Sequence, residues 1–300
     1  MFYGLAAYIL WGAFPAYFPL LQPASPFEIL AHRIVWTAVA MVIVMAVRGT
    51  WRELLRIDAK TWATTALLAV LIATNWLLYV ITVNSDHVAE AALGYFINPL
   101  VSIALGMLIL KEQLRRLQAA SVVLAAIAVG YLTILGGHPP LLGLGLAFSF
   151  GLYGLVKKQI KLNATASLAA ETVFLTPLAL GYLLFLSATG RGTFTSEGPG
   201  HMLLLMSTGV VTAVPLLLFG IAAKKIPLST VGMLQYITPT LQMLWAVFVV
   251  NEHLDANRWI GFSIIWVAVV LYLVDTATHA APRRTRRRDR TSSSPTPPAG

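Results

Sequence analysis

Residues 91–114 read AALGYFINPLVSIALGMLILKEQL, and residues 231–254 read VGMLQYITPTLQMLWAVFVVNEHL. Laid over one another at a shift of 140, Ile97 meets Ile237, Pro99 meets Pro239, Glu112 meets Glu252 and Leu114 meets Leu254, without a gap. A second, fainter match at a shift of 139 sets Gly4, Leu5 and Gly12 on Gly143, Leu144 and Gly151, with Trp11 on Phe150 and Phe14 on Tyr153. Chance identities are common in Leu- and Ala-rich sequence, so neither match decides anything alone. Both at nearly one offset point to a duplicated chain, with one unit over 1–137 and a second over 138–275.

Outward from that repeat, the chain divides into about ten apolar segments, roughly 2–21, 28–47, 62–83, 89–110, 117–136, 140–156, 166–187, 201–223, 227–250 and 257–274. Most reach the ~20 residues a helix needs to cross ~30 Å of hydrocarbon. Of the 21 Lys and Arg, 18 fall in alternate gaps or in the tail: Arg48 to Lys60, Lys111 to Arg116, Lys157 to Lys161, Lys224 with Lys225, and six Arg after residue 280. The opposite gaps hold only Arg191 and Arg258, and Arg33 lies inside a segment. Basic residues flanking membrane helices stay cytoplasmic, which predicts both termini inside. Each unit then holds an odd number of spans, so the second enters the membrane upside down. The expected fold is an all-α integral membrane protein, about ten transmembrane helices in two inverted five-helix repeats around a central cavity.

Composition agrees. Hydrophobic residues are 58% and charged residues 11%, against ~45–50% and ~25% in a soluble domain. A net charge of +9 would otherwise suggest nucleic acid. Here the charge sits in a tail and in short loops, and no gap holds a soluble domain, so nucleic acid is not an expected partner and ATP has nowhere to bind. With no cysteine there is no disulfide framework. There is no H-E-x-x-H, no Gly-rich phosphate loop and no metal-ligand spacing, so neither an enzyme nor a cofactor is expected. Met1 runs into the first segment without a basic n-region, which argues for a span rather than a cleavable signal.

The connecting stretches carry less. Residues 49–61 suit a short interfacial helix, with Trp51, Leu54 and Leu55 toward lipid. Residues 188–200 read as a flexible outer loop. Residues 276–300 form a basic cytoplasmic tail, disordered over 282–300, whose Arg side chains suit anionic lipid, at about 1 kcal/mol each near the surface.

Polar groups inside a bilayer are costly unless paired or wetted, so those present are informative. Glu28, His32 and Trp36 share one face of the second span, with Arg33 beside them. The alternatives for Arg33 are a structural ion pair with Glu28, snorkelling, and contact with a solute. Asn75 and Tyr79 stack on the third span, next to Trp76; Tyr95, Asn98 and Ser102 share a face of the fourth, beside Pro99. The inverted copy offers Gln235, Tyr236, Thr238, Pro239 and Thr240. Matched Pro-interrupted helices are the best sequence pointer to a transporter's binding site. Structural repair of the proline's freed carbonyl is the blander account. Glu171 matches Glu28 at a shift of 143; both are candidates for proton coupling, against an ion pair of Glu171 with Lys158 or Lys161. Trp11 with Pro15 and Pro19 predicts a kinked first span. Gly143, Gly145, Gly151 and Gly154 suit close helix packing.

The stretches GLAAYILWG (4–12), EILAHRIVW (28–36), NWLLY (75–79), ALGYFINPLVSIALGM (92–107), ETVFLTPLA (171–179) and QYITPTLQ (235–242) make the chain resemble the RarD-type branch of the EamA transporters, in the drug/metabolite transporter superfamily. The likeness spans residues 3 to 275 and leaves out the tail; the chain lacks a few residues that members have before the first span. It implies ten helices in two inverted repeats, in a bacterial inner or plasma membrane. The family's residues carried over are Trp11, His32, Arg33, Asn75, Trp76, Tyr79, Tyr95, Asn98, Glu171, Gln235 and Tyr236. The expected activity is secondary transport of a small-molecule solute by alternating access, in the direction of export. A passive facilitator or exchanger, and a non-transporting scaffold or sensor, stay open as alternatives.

Overall fold

The computed structural model describes residues 1–84, 88–135, 140–251, 253 and 255–280, and no side chain at 80, 83–84, 88–92 or 280. Glu252 and Leu254 of the repeat, and the tail from 281 with its lipid contacts, lie outside the described residues; residues 276–280, expected to open a disordered tail, instead continue the last helix to Ala280. The described chain is helical, in order α1 Phe2–Gly12, α2 Phe14–Tyr17, a 3-10 turn Phe18–Leu21, α3 Pro26–Val47, α4 Arg52–Leu55, α5 Ala59–Asn84, α6 Val88–Leu108, α7 Arg116–Leu135, α8 Leu141–Gln159, α9 Ala164–Ala188, α10 Gly198–Lys225, α11 Leu228–Gln235, α12 Ile237–Phe248 and α13 Ala256–Ala280.

Eight stretches among the described residues are helical, long and apolar enough to cross a membrane. The two segments that carry the repeat differ. α6 is continuous over Val88–Leu108, whereas the ninth segment is broken into α11 and α12 at Tyr236. Pro239 cannot donate to the carbonyl of Gln235, and that is where the helix breaks. Pro99 removes the same bond from Tyr95, yet α6 runs through it. The first segment bends as predicted, with α1 ending at Gly12 and Pro15 and Pro19 opening the next two turns. Helix starts follow local chemistry: Ser25 Oγ accepts from Glu28 N ahead of Pro26, and Asn163 Oδ1 accepts from Ala166 N.

The interfacial helix over 49–61 is smaller than expected. It is one turn, α4, with Trp51 and Leu55 exposed. Leu54 packs on the protein core instead of facing lipid, because the turn is tied to α9's start by Asn163 Nδ2 donating to Glu53 (2.6 Å).

α3 packs on α9 and α10, α5 on α8 and α9, α6 on α8 and α11, α7 on α13, and α1 on α10 and α12. Exchanging each span for the one five further along maps these contacts onto one another. The α1·α10 contact becomes α8·α5, α1·α12 becomes α8·α6, and α3·α10 becomes α9·α5. Glycine permits the closest approaches. A Cβ on Gly94 would lie 2.8 Å from Gly143 Cα, and one on Gly151 would lie 2.8 Å from Val101.

Candidate functional site

α6 and α11 cross antiparallel. Gly106 lies against Ser229, whereas Gly232, one turn on, lies against Pro99, Ser102 and Ile103. A Cβ on Gly232 would be 2.8 Å from the Pro99 carbonyl oxygen, so the two backbones touch. Another turn brings Gln235 and Tyr236 to the level of Tyr95 to Asn98, and Tyr236 shares a core cluster with Phe96. The crossing is closed over: Asn98, Gln235 and Tyr236 are 3%, 5% and 1% exposed. Yet among the described residues Asn98 Oδ1, Gln235 Oε1 and the Tyr236 hydroxyl have no hydrogen-bond partner. Each such atom costs about 1–3 kcal/mol when buried in a protein.

A fourth atom of this kind was not singled out from the sequence. Tyr8 Oη is buried and unpartnered, on α1, where the Tyr8 carbonyl accepts from Thr238 Oγ1 (2.9 Å) of α12. A tyrosine in an apolar run gives no sequence signal. Trp11, one turn further, meets Phe150 edge-on and Tyr8 and Phe219 at a tilt, at ring separations of 5.5–5.8 Å, and its carbonyl accepts from Gln242.

Arg33 joins Trp76, Tyr79 and Tyr95. Its guanidinium carbon lies 4.6 Å from the Trp76 ring centroid and 5.4 Å from that of Phe18. Its Nε donates to Thr212 Oγ1 (3.0 Å), and Tyr95, Tyr79 and Tyr17 are within electrostatic reach. Tyr79 and Tyr95 meet edge-on at 6.0 Å. The proposed Glu28–Arg33 ion pair is not formed; the residues leave α3 in different directions.

Glu28 and His32 face the outer loop, which is not the loose segment that its composition suggested. Buried Glu28 accepts from Thr193 N (2.6 Å), Thr193 Oγ1 bonds His201 Nε2 (2.9 Å), and Phe194 stacks on His32 at 4.8 Å. Trp36 Nε1 donates to His32 Nδ1 (3.2 Å), leaving buried Nε2 unpartnered. The Thr- and Gly-rich loop folds because its partners lie on α3, far off in sequence. Asn75 also leaves the site: Nδ2 donates to the Leu146 carbonyl and Ser149 Oγ of α8 (2.9 and 3.1 Å).

Glu171 is buried in an ion pair, but not with Lys158 or Lys161. Its Oε1 is 2.5 Å from Lys157 Nζ and accepts from Ser167 Oγ (2.6 Å), while Oε2 accepts from Tyr153 Oη (3.0 Å). Lys157 is fully buried, so Arg33 is not alone among basic groups inside the spans. Lys158, its neighbour, points the other way to the carbonyls of Ala223 and Ile226. Glu112 was read only as a repeat match. It caps α11, accepting from Leu228 N (2.6 Å), Ser229 N and Ser229 Oγ (both 2.8 Å). Beside it a cleft of about 270 Å³ opens between Arg115, Gln118, Thr230 and Tyr272. None of the predicted site residues lines it.

The profile of the EamA-like transporter family matches residues 1–134 and again 139–274. The chain belongs to that family. Among its relatives, Protein RarD of Streptomyces exfoliatus is 50% identical over 291 residues, covering 96% of this chain and 91% of that one. Protein RarD of Escherichia coli (strain K12) is 42% identical over 274 residues, covering 90% and 92%. One crystal structure superposes on this EamA chain with a TM-score of 0.73, over 92% of this chain and 98% of the other, at 15% identity. That likeness shows the fold alone. The protein is thus a multi-pass, RarD-type EamA membrane transporter.

Proposed function

We propose that this EamA chain is a secondary transporter that exports a small solute across a bacterial inner membrane by alternating access. Two inverted units, 1–137 and 138–275, enclose the path, with both termini cytoplasmic. The observation that carries the reading is the α6–α11 crossing. Asn98 Oδ1, Gln235 Oε1 and Tyr236 Oη are buried there without partners among the described residues, on two segments that carry matched prolines. Such atoms are costly to keep in an apolar interior, so a role outside the fold accounts for them. A solute that meets them in turn as the crossing opens provides that role.

Asn98→Leu and Gln235→Leu test this, because each removes an amide from the crossing without adding charge. Uptake into proteoliposomes should fall far more than expression does. Wild-type transport by both variants would contradict the reading.

A second reading, an exchanger without proton coupling, has one observation in its favour. Glu171 is already held by Lys157, Ser167 and Tyr153, and protonating it would leave a buried ammonium without its counter-charge. In the coupled reading Glu171 and Lys157 therefore act as a pair, separating when the proton binds.

A further inference from the structure

We infer that Arg33 is the anion-binding end of the solute site, and that the transported molecule carries a carboxylate or another oxyanion. The inference rests on the transport reading above and adds the class of solute. Its basis is the charge ledger of the bundle. Lys157 is paired with Glu171, and Arg115 with Asp275. Lys158 is held by Glu112 and two backbone carbonyls, and Lys224 by the carbonyls of Ile160 and Leu162. Arg33 differs: among the described residues neither a carboxylate nor a backbone carbonyl takes it, and its one hydrogen bond goes to the neutral Thr212 hydroxyl.

A guanidinium cannot escape by losing its proton, and it offers five N–H donors in a fixed fork. Here the fork uses one, Nε to Thr212. The rings of Trp76 and Phe18 lie within cation–π range of the guanidinium. Its other N–H donors have no hydrogen-bond partner among the described residues and suit a bidentate oxyanion. Arg33 as a residue is half-buried rather than sealed. Tyr17, within electrostatic reach of Arg33, is itself fixed by Ser207 and the Leu204 carbonyl. Tyr95, also within reach, lies one helical turn from Asn98. An anionic end at Arg33 therefore places the rest of a small solute toward Asn98 and Gln235.

The test uses the full chain purified in an uncharged maltoside detergent, with thermal stabilisation read for matched probes. These are N-acetylphenylalanine and its amide, benzoate and benzamide, and uridine monophosphate and uridine. At least one anion should stabilise the protein while its neutral counterpart does not; whether a carboxylate or the phosphate does so identifies the oxyanion. Arg33→Lys should weaken that anion about tenfold or more, because the ammonium lacks the planar fork. Thr212→Val, which only frees Nε, should weaken it a few-fold, and keeps the test valid if Arg33→Lys folds poorly. Equal stabilisation by anion and neutral probe, or anion binding untouched in both variants, would overturn the inference. So would a wild-type protein that none of the six probes stabilises. Counterflow of a neutral or cationic solute by that same protein would leave the transport reading standing.

Discussion

Lys111 and Asn251 lie 140 residues apart and share one backbone conformation. With φ of 56° and 59°, they are the two non-glycine residues in the left-handed region among those described. The hydrogen bonds before them match too. Ile109 N and Leu110 N both reach Leu105 O, at 3.0 and 3.4 Å, and Val249 N and Val250 N both reach Trp245 O, at 2.9 and 3.2 Å. A left-handed Lys costs roughly 1–2 kcal/mol, so its place opposite Asn251 reads as an inherited chain path. Together with the contacts that interchange between the halves, it supports the duplication at backbone level. The proposed inversion puts these two helix ends on opposite membrane faces.

That inversion predicts a labelling pattern. The chain is free of cysteine, so single cysteines report cleanly. Arg56→Cys should be shielded from an impermeant thiol reagent in intact cells, and Ser196→Cys should react. Ser196 is the better outer probe than Phe194, which is stacked on His32. Labelling at 56, or protection at 196, would refute the topology.

The Lys157–Glu171 pair predicts a stability pattern. Breaking a buried pair from one side costs about 3–5 kcal/mol, because a bare charge is left behind. Glu171→Gln and Lys157→Met should therefore each lower the melting temperature in detergent, and the double variant should recover most of the loss. If the pair also carries the proton, the double variant keeps solute exchange and loses pH-driven uptake. Single variants as stable as wild type would remove the pair from the account.

Much of the fold was legible because bilayer thickness sets segment length. The site was half legible. Asn98, Gln235 and Tyr236 stood out as polar groups beside matched prolines, and all three carry unpartnered buried atoms. Lys157 was hidden by Lys158: two adjacent basic residues at a helix end look alike, and only packing decides which turns inward. Glu28, His32 and Asn75 looked equivalent to Arg33 on helix periodicity. Their partners, Thr193, Phe194 and the Leu146 carbonyl, lie on elements that sequence spacing does not connect to them.

Glu28 accordingly has a structural role to test. Its carboxylate accepts the Thr193 N–H, and Glu28→Gln preserves an acceptor there. Glu28→Gln should transport like wild type across pH, whereas Glu28→Ala should cost about 1–3 kcal/mol and speed amide exchange at 192–194. Loss of pH-driven uptake in Glu28→Gln would return this residue to proton coupling.

Counterflow tests the central claim, a solute site exposed alternately to the two membrane faces, most directly. Proteoliposomes holding the purified chain are loaded with one unlabelled solute from a panel of amino acids, nucleosides and drugs, then diluted into a trace of the same solute labelled. For at least one solute, labelled uptake should overshoot equilibrium and then decay, and Asn98→Leu should flatten the overshoot. A flux that never saturates and is indifferent to solute on the far side would contradict alternating access, as would no flux for any member of the panel.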